Sequence, residues 1–343
     1  MKNLELILPF SIPPSGLEND LLKAMQTPAL ARLIASAKRM PLKNIDPFSK
    51  ALVHEYFLAN ELQGAHDCDP PVTLNRMRDM GLQPADGRWF TLQPVHIHIA
   101  RDHLVLTDQR RLDISEQESR VLFEIAKTAT DEAGMTLQYG DASTWFLRAD
   151  GWSGLTTASA DAACGHNVDI WMPDGEHARA WRKLQNEIQM MWFAHTLNDE
   201  REAQGKKAIN SVWLSGGADT LMKKEKRIHT AQSFADLLSA PDLQNSQNAQ
   251  NKTTSTDTTC VLLEHLTESA INSDWGQWLT QMQTLENDWF APVLAALKSR
   301  QLNSITLHCS DAHLLASFKL TPWSLRQFWI KPRLQALFTL KPT

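Results

Sequence analysis

The sequence has few cysteines, no excess of basic residues and no long apolar run. Its four cysteines, Cys68, Cys164, Cys260 and Cys309, include no Cys-x-x-Cys pair, so neither a zinc ribbon nor a redox dithiol is indicated. The 34 Lys and Arg residues are outnumbered by 39 Asp and Glu, which argues against nucleic-acid binding and against attachment to an anionic membrane. No apolar stretch approaches the length of a membrane-spanning helix.

The first residues also lack the features of a secretory signal. Pro9 interrupts a short apolar run, whereas a signal peptide needs a longer apolar region and a small-residue cleavage site. A cytoplasmic location is therefore expected. The composition, with 43% hydrophobic and 21% charged residues, is that of a globular protein. The length of 343 residues indicates two domains.

Strand and helix patterns alternate at both ends of the chain. Residues 4–8 form a short apolar run that is typical of a buried parallel strand, and apolar residues at helical spacing follow over 21–34. Near the other end, a helical pattern over 275–297 separates strand-like runs at 260–266 and 304–309. The alternation predicts an α/β fold, with a mostly parallel sheet flanked by helices.

The middle of the chain has a different pattern of strand and helix signals. Short strand-like segments surround a helical pattern that begins with Ser115 and Glu118 at capping-box spacing. We therefore predict a core formed by residues 1–88 and 205–343, interrupted by a smaller α+β domain over 89–204. Within the core, the polar segment 241–258 is predicted to be a mobile surface loop.

A set of polar and glycine residues gives the strongest functional signal. Arg201 suits bidentate contact with a phosphate or carboxylate, and glycines let backbone N–H groups approach an anion. The strand after residue 207 is expected to deliver Asn210 and the glycines to the ligand-binding edge of the sheet. The ordinary alternative is a surface turn with a solvated arginine. The candidate ligand-binding residues are His195, Asn198, Arg201, Asn210, Gly216 and Gly217.

These residues resemble a motif of the archaeal-type cofactor-independent phosphoglycerate mutases, which belong to the alkaline-phosphatase superfamily. The family pattern is approximately His-Pro-Val-Asn-x-x-Arg-x-x-x-Gly-x-x-x-Ala-Asn, followed by a strand and Gly-x-Gly. The chain matches it at His195, Asn198, Arg201, Gly205, Asn210 and Gly216. It replaces the family Pro-Val by Thr196-Leu197 and the family alanine by Ile209. The resemblance implies an alkaline-phosphatase-like fold with an insert.

Short motifs over most of the chain are more similar still to the RpfE-type regulatory group, a bacterial offshoot of this fold. They include Leu8-Pro9-Phe10, Pro94-Val95-His96 and the run from Asn210 to Leu214. This resemblance implies a regulatory protein, one that binds a small phosphorylated or carboxylated metabolite or a protein partner.

The chain departs from the mutase pattern where that pattern holds metals. Mutase chemistry uses two metal ions on Asp and His ligands, with a serine nucleophile. Pro9-Phe10 stands where the first Asp is expected, Glu264-His265 and Glu268 have a different spacing, and Asp311-Ala312-His313 replaces an adjacent Asp-His. We therefore expect no two-metal site and no cofactor. Two alternatives stay open: an active mutase or phosphatase using Mn or Zn on substitute ligands, and an interaction scaffold with a vestigial cleft.

Two other groups contain residue types that ligate metals. His96 and His98 are two residues apart on a predicted strand and so share a face, and His103 follows on the next strand. His308, Cys309, Asp311 and His313 lie at another strand end. The usual interpretation of the first group is a polar sheet face, and the sequence leaves open whether either group binds a metal.

Overall fold

The chain folds into two compact units. In the computed structural model, which describes residues 2–60, 62, 66–222, 228–240, 258–326 and 329–338, the first unit combines Met1–Ile45 with Lys224–Thr343. The second unit is Asp46–Lys223. Each unit has its own sheet and its own apolar core.

The secondary structure alternates between strands and helices along the described chain. The strands are β1 (Asn3–Leu8), β2 (Lys38–Arg39), β3 (Lys43–Asn44), β4 (Trp89–Val95), β5 (Ile97–Ala100), β6 (His103–Leu106), β7 (Thr136–Asp141), β8 (Thr144–Arg148), β9 (Ser211–Ala218), β10 (Ile228–His229), β11 (Thr258–Leu262), β12 (Ser304–Ser310) and β13 (Leu314–Leu320). The helices are α1 (Glu18–Ala24), α2 (Pro28–Ser36), α3 (Val53–Leu58), α4 (Thr73–Asp79), α5 (Glu116–Glu132), α6 (Ala160–Ala163), α7 (Ala178–Phe193), α8 (Thr196–Ala203), α9 (Phe234–Ser239), α10 (Thr267–Ile271), α11 (Trp275–Leu285), α12 (Ala291–Lys298) and α13 (Gln335–Phe338).

The first unit contains a mostly parallel sheet. Its order is β10-β11-β1-β12-β13-β2, and β3 also pairs with β13. Strands β10, β11, β1 and β12 are parallel, whereas β13 is antiparallel to β12. Leu6 and Ile7 are adjacent in β1 and both fully buried, as a strand covered on both faces requires. The predicted α/β fold, with a mostly parallel sheet flanked by helices, is confirmed.

The second unit is built on an antiparallel sheet of order β7-β8-β4-β9, with β5 and β6 as a separate hairpin. Helix α5 begins with the predicted capping box, in which Ser115 and Glu118 bond each other's backbone N–H. The buried Trp145 meets Trp192 edge to face at a centroid distance of 6.0 Å, so these indoles supply packing area.

The boundaries of the units differ from the predicted 88/89 and 204/205. Strand β9 lies in the antiparallel sheet, where Leu214 pairs with Leu92 of β4, and not in the parallel sheet that the sequence analysis assigned to it. Helix α4 packs on the same sheet through Leu74 and Met77. The loop prediction for 241–258 concerns residues outside the described ranges, apart from Thr258 in β11. No helix in the described ranges is long and apolar enough to cross a membrane.

Candidate functional site

The carboxyl ends of β1, β11 and β12 meet at one edge of the parallel sheet. The register pairs Ile7 with Leu262 and with His308, so the segments that leave these strands are neighbours. Open parallel sheets bind their ligands beyond this edge. A ligand site in the first unit is therefore expected at this edge.

The segment that leaves β1 is used for packing. Phe10 has a left-handed backbone, with φ 55°, and its side chain packs against the core of the first unit. The indole Nε1 of Trp278 donates a hydrogen bond to the Phe10 carbonyl over 2.9 Å, and the Ser11 hydroxyl donates to the Leu8 carbonyl over 2.7 Å. The position that the resemblance gives to an Asp ligand thus holds an apolar residue.

Polar atoms from the other strand ends lie buried at this edge. Within the described residues, Nδ1 of His265, Oγ of Ser310 and Nδ1 of His313 have no hydrogen-bond partner. Burial lowers the pKa of His265, against the opposing charge of Asp288, which favours the neutral imidazole. Asp311 accepts hydrogen bonds from the backbone N–H groups of His313 and Leu314, each over 2.7 Å. The edge therefore offers buried polar atoms that lack a partner in the described chain, while Asp311 closes the turn.

The residues at this edge do not fit a two-metal set. Phe10 supplies no ligand, Asp311 is engaged by two backbone groups, and Nδ1 of His308 bonds the Ser317 hydroxyl over 2.8 Å. Across the described ranges, no group of three or more His, Cys, Asp and Glu side chains is arranged to hold a metal ion.

The His96 and His98 rings stack with centroids 5.7 Å apart, on one face as predicted. Nδ1 of His96 is 2.7 Å from the Ala208 carbonyl, and Nδ1 of His98 is 3.2 Å from the Thr107 hydroxyl. His103 lies instead beside Asp102, 3.0 Å away. Metal binding by this pair stays an open alternative.

The predicted anion-binding residue Arg201 is completely buried in the second unit. Its guanidinium donates to Glu118 over 2.7 Å and to the carbonyls of Leu112, Lys207 and Asp113. Every nitrogen of the group has a partner within the chain. These contacts join α8 to the start of α5.

The other predicted polar residues also bond the chain itself. The amide of Asn198 accepts from the Ile209 N–H and donates to the Ile209 carbonyl. The amide of Asn210 pairs with Ile97 in the same way, at 2.8 Å in both directions. His195 caps α8, because its Nδ1 accepts the Leu197 N–H. The six residues are therefore not gathered at the parallel sheet, and their role in ligand binding stays a prediction.

The two glycines of β9 are required by close packing. Gly216 has φ +67°, and a Cβ there would lie 2.9 Å from the Thr73 hydroxyl. A Cβ on Gly217 would lie 2.4 Å from the Phe90 ring. The Gly216 N–H does meet an anionic group, but that group is the Asp69 carboxylate, at 2.6 Å.

Asp69 belongs to a buried cluster of ionisable residues that the sequence analysis missed. Its carboxylate also accepts a hydrogen bond of 2.5 Å from Thr157, and burial raises its pKa to about 6 despite the opposing effect of these bonds. Glu55 accepts from the Ser159 hydroxyl over 2.7 Å; burial, and then the nearby charge of Asp161, raise its pKa. The partners are far apart in sequence, so no local motif reveals the cluster.

The stability of the second unit should fall as the pH rises through about 6. The folded chain holds the Asp69 proton to a higher pH than the unfolded chain, whose Asp pKa is about 3.9. The associated stability is complete below the unfolded value and is lost as the pH rises through the folded value. Glu55 acts in the same direction. Asp69→Asn should flatten this part of a plot of melting temperature against pH.

The exposed Asp131→Asn is the matched control, since Asp131 only pairs with Lys127 on the surface of α5. An unchanged slope in Asp69→Asn would contradict the assignment. His54 has the opposite effect, and its contribution to stability is lost as the pH falls through about 4. Burial lowers its pKa to about 4, so the unfolded chain takes up the proton first.

Comparison with known proteins gives structural likeness only. No protein-family model and no curated protein sequence matches the chain. Among solved structures, the chain is similar to the cofactor-independent phosphoglycerate mutase of Thermoplasma acidophilum, with 13% identity over 99% of this chain and 96% of that one and a TM-score of 0.41. It is also similar to the PH0037 protein of Pyrococcus horikoshii, with 12% identity over 93% of this chain and 87% of that one and a TM-score of 0.51. At such identity the likeness to PH0037 concerns the fold and says nothing about activity.

Proposed function

We propose that the chain is a phosphoglycerate mutase-like protein of the regulatory, RpfE-like type, which lacks the two-metal catalytic site and binds a small anionic metabolite or a protein partner. The observation that carries the proposal is Phe10 at the end of β1. Its ring packs into the core and its carbonyl is held by Trp278. A metal ligand at this position would require replacement of a packing residue, not a change of rotamer.

The same edge of the sheet keeps features that suit a small polar ligand. Buried polar atoms that lack a partner in the described chain are unfavourable, and a bound ligand would satisfy them. Imidazole and hydroxyl groups, as at His265, Ser310 and His313, donate hydrogen bonds to phosphate or carboxylate oxygens. This supports retention of the binding function without the metal chemistry.

The proposal predicts no interconversion of 3-phosphoglycerate and 2-phosphoglycerate. An enolase-coupled assay with Mn²⁺, Mg²⁺ or Zn²⁺ should give no rate above the blank. A two-metal displacement needs both metal ions, and an apolar side chain at a ligand position cannot bind one. Calorimetric titration with the two phosphoglycerates should show binding that weakens in His313→Ala and not in His103→Ala, a half-buried histidine of the second unit. Metal-dependent turnover that a chelator abolishes would favour the active enzyme instead.

A further inference from the structure

A basic cleft lies at the opposite edge of the parallel sheet, where β1 and β12 begin. It is a cavity of about 500 Å³ lined by Lys298, Arg300, Trp323 and Arg326, among other residues. The loop between α12 and β12 forms one wall, and the segment after β13 forms the other. The backbone N–H of Asn303 donates to the Lys2 carbonyl over 2.7 Å, which fixes this loop beside the start of β1.

The charge of this region is opposite to that of the chain. The whole chain has a net charge of −5, yet Asp311 is the only acidic residue after Asp288. Asp311 lies in the turn at the far end of the β12–β13 hairpin. Lys298, Arg300 and Arg326 form no ion pair with any carboxylate in the part of the chain that the structure describes. Their positive charge is therefore available to an anion that enters the cleft.

Arg300 stands at a position that favours glycine. It follows the end of α12 with φ 63°, and the next two N–H groups both bond the Ala296 carbonyl. Helices that end in this way usually have glycine at the left-handed position, because a side chain there is strained. A long cationic side chain at such a point, facing a cavity, indicates a role beyond helix termination.

An aromatic ring completes the cleft. Trp323 is 71% exposed, which is unusual for a residue whose main contribution is buried area. The guanidinium carbon of Arg326 lies 3.9 Å from the centre of the Trp323 ring. Such a stacked pair leaves ring surface free for a second planar group, and nucleic-acid bases stack on aromatic rings in this way.

We propose that the basic cleft binds a nucleoside phosphate, with the base stacked on Trp323 and the phosphates held by Lys298 and Arg300. The inference rests on the proposed function, the binding of a small anionic metabolite. It adds a second site and names the class of ligand for that site. The volume falls within the range of about 300–1,000 Å³ that is typical of small-ligand sites, and it suits one nucleotide rather than an extended strand. A net negative chain also opposes binding to polyanions in general.

The test is a calorimetric titration of the full chain with each of four compounds: ADP, adenosine, ribose 5-phosphate and inorganic phosphate. ADP should bind most tightly, because only ADP offers both the base and the charges. Arg300→Gly should weaken ADP binding by about tenfold or more, since a charge-assisted contact is lost. The same change relieves the backbone at this position, so it should not impair folding. Trp323→Ala should weaken ADP and adenosine but not inorganic phosphate.

Two exposed residues of the same unit provide controls. Lys23→Ala and Trp329→Ala remove side chains that are 80% and 67% exposed and that do not line the cleft, so ADP binding should change less than about twofold. Absence of saturable ADP binding, or equal affinity in Arg300→Gly, would overturn the proposal. Tighter binding to poly(U) or to phosphatidylserine vesicles than to ADP would overturn it in favour of a polyanion surface. Saturable binding of phosphoglycerate without saturable binding of ADP would leave the proposed function standing while this inference fails.

Discussion

Replacement of Arg201 by alanine should lower the free energy of unfolding by about 2–4 kcal/mol, because a fully buried guanidinium and its hydrogen bonds, one of them to a partly buried carboxylate, are lost. The variant removes the ion pair of Glu118, which keeps its hydrogen bond from the Ser115 N–H, and the hydrogen bonds to the carbonyls of Leu112 and Lys207. Urea denaturation followed by tryptophan fluorescence measures the change. Arg201→Lys should recover little of the loss, because a single ammonium cannot reproduce the planar fork.

Arg120→Ala is the matched control for this measurement. Arg120 also lies on the Glu118-bearing helix α5, but it is 60% exposed and pairs with Glu116 on the surface. Its loss should change stability by less than about 1 kcal/mol. A fully stable Arg201→Ala variant that no longer binds an anionic metabolite would contradict the structural role and restore the role that the sequence predicts.

Replacement of Glu286 by alanine should lower the free energy of unfolding by about 2–4 kcal/mol, since hydrogen bonds to a buried charge are lost. The Glu286 carboxylate is buried and accepts the N–H groups of Ala29 and Leu30, over 2.6 and 3.1 Å. These N–H groups open α2, where an anionic partner is favoured by the helix dipole. The glutamate lies in a π-helical turn, Glu286–Phe290, between α11 and α12.

Glu286→Gln separates charge from shape at this position. It keeps one acceptor oxygen for α2. Its free energy of unfolding should therefore fall by about half as much as that of Glu286→Ala. The neighbouring Asn287→Ala, on the exposed side of the same turn, should have little effect in the same urea titration. Equal and small losses in both Glu286 variants would show that α2 is held by its apolar face alone.

Local patterns were sufficient to predict the elements of the fold. The apolar run at Leu4–Leu8, the capping box at Ser115 and the long helix after Trp275 each depend on residues that are close in sequence. The boundaries of the units depend on a distant pairing, that of β9 with β4. Because β9 is as apolar as a strand of the parallel sheet, its sequence alone favours the wrong sheet.

The candidate site also depends on contacts between residues that are far apart in sequence. The side chain of Phe10 could be read from the sequence, and with it the departure from the metal-binding pattern. The partners of Arg201 could not, since Glu118 and Leu112 are 83 and 89 residues away. A buried arginine and an anion-binding arginine look alike until their surroundings are known, because both use the same planar donor fork. Likewise, the strained backbone at Arg300 has no sequence signature.

The metal content of the purified chain tests the central claim most directly. The protein is produced with Mn²⁺ and Zn²⁺ in the medium, purified without chelator and analysed by mass spectrometry for bound metal, alongside the coupled mutase assay on the same sample. The account predicts no stoichiometric Mn or Zn and no turnover, because Phe10 stands where a ligand is required. Two equivalents of either metal, removed by chelator together with mutase activity, would contradict it.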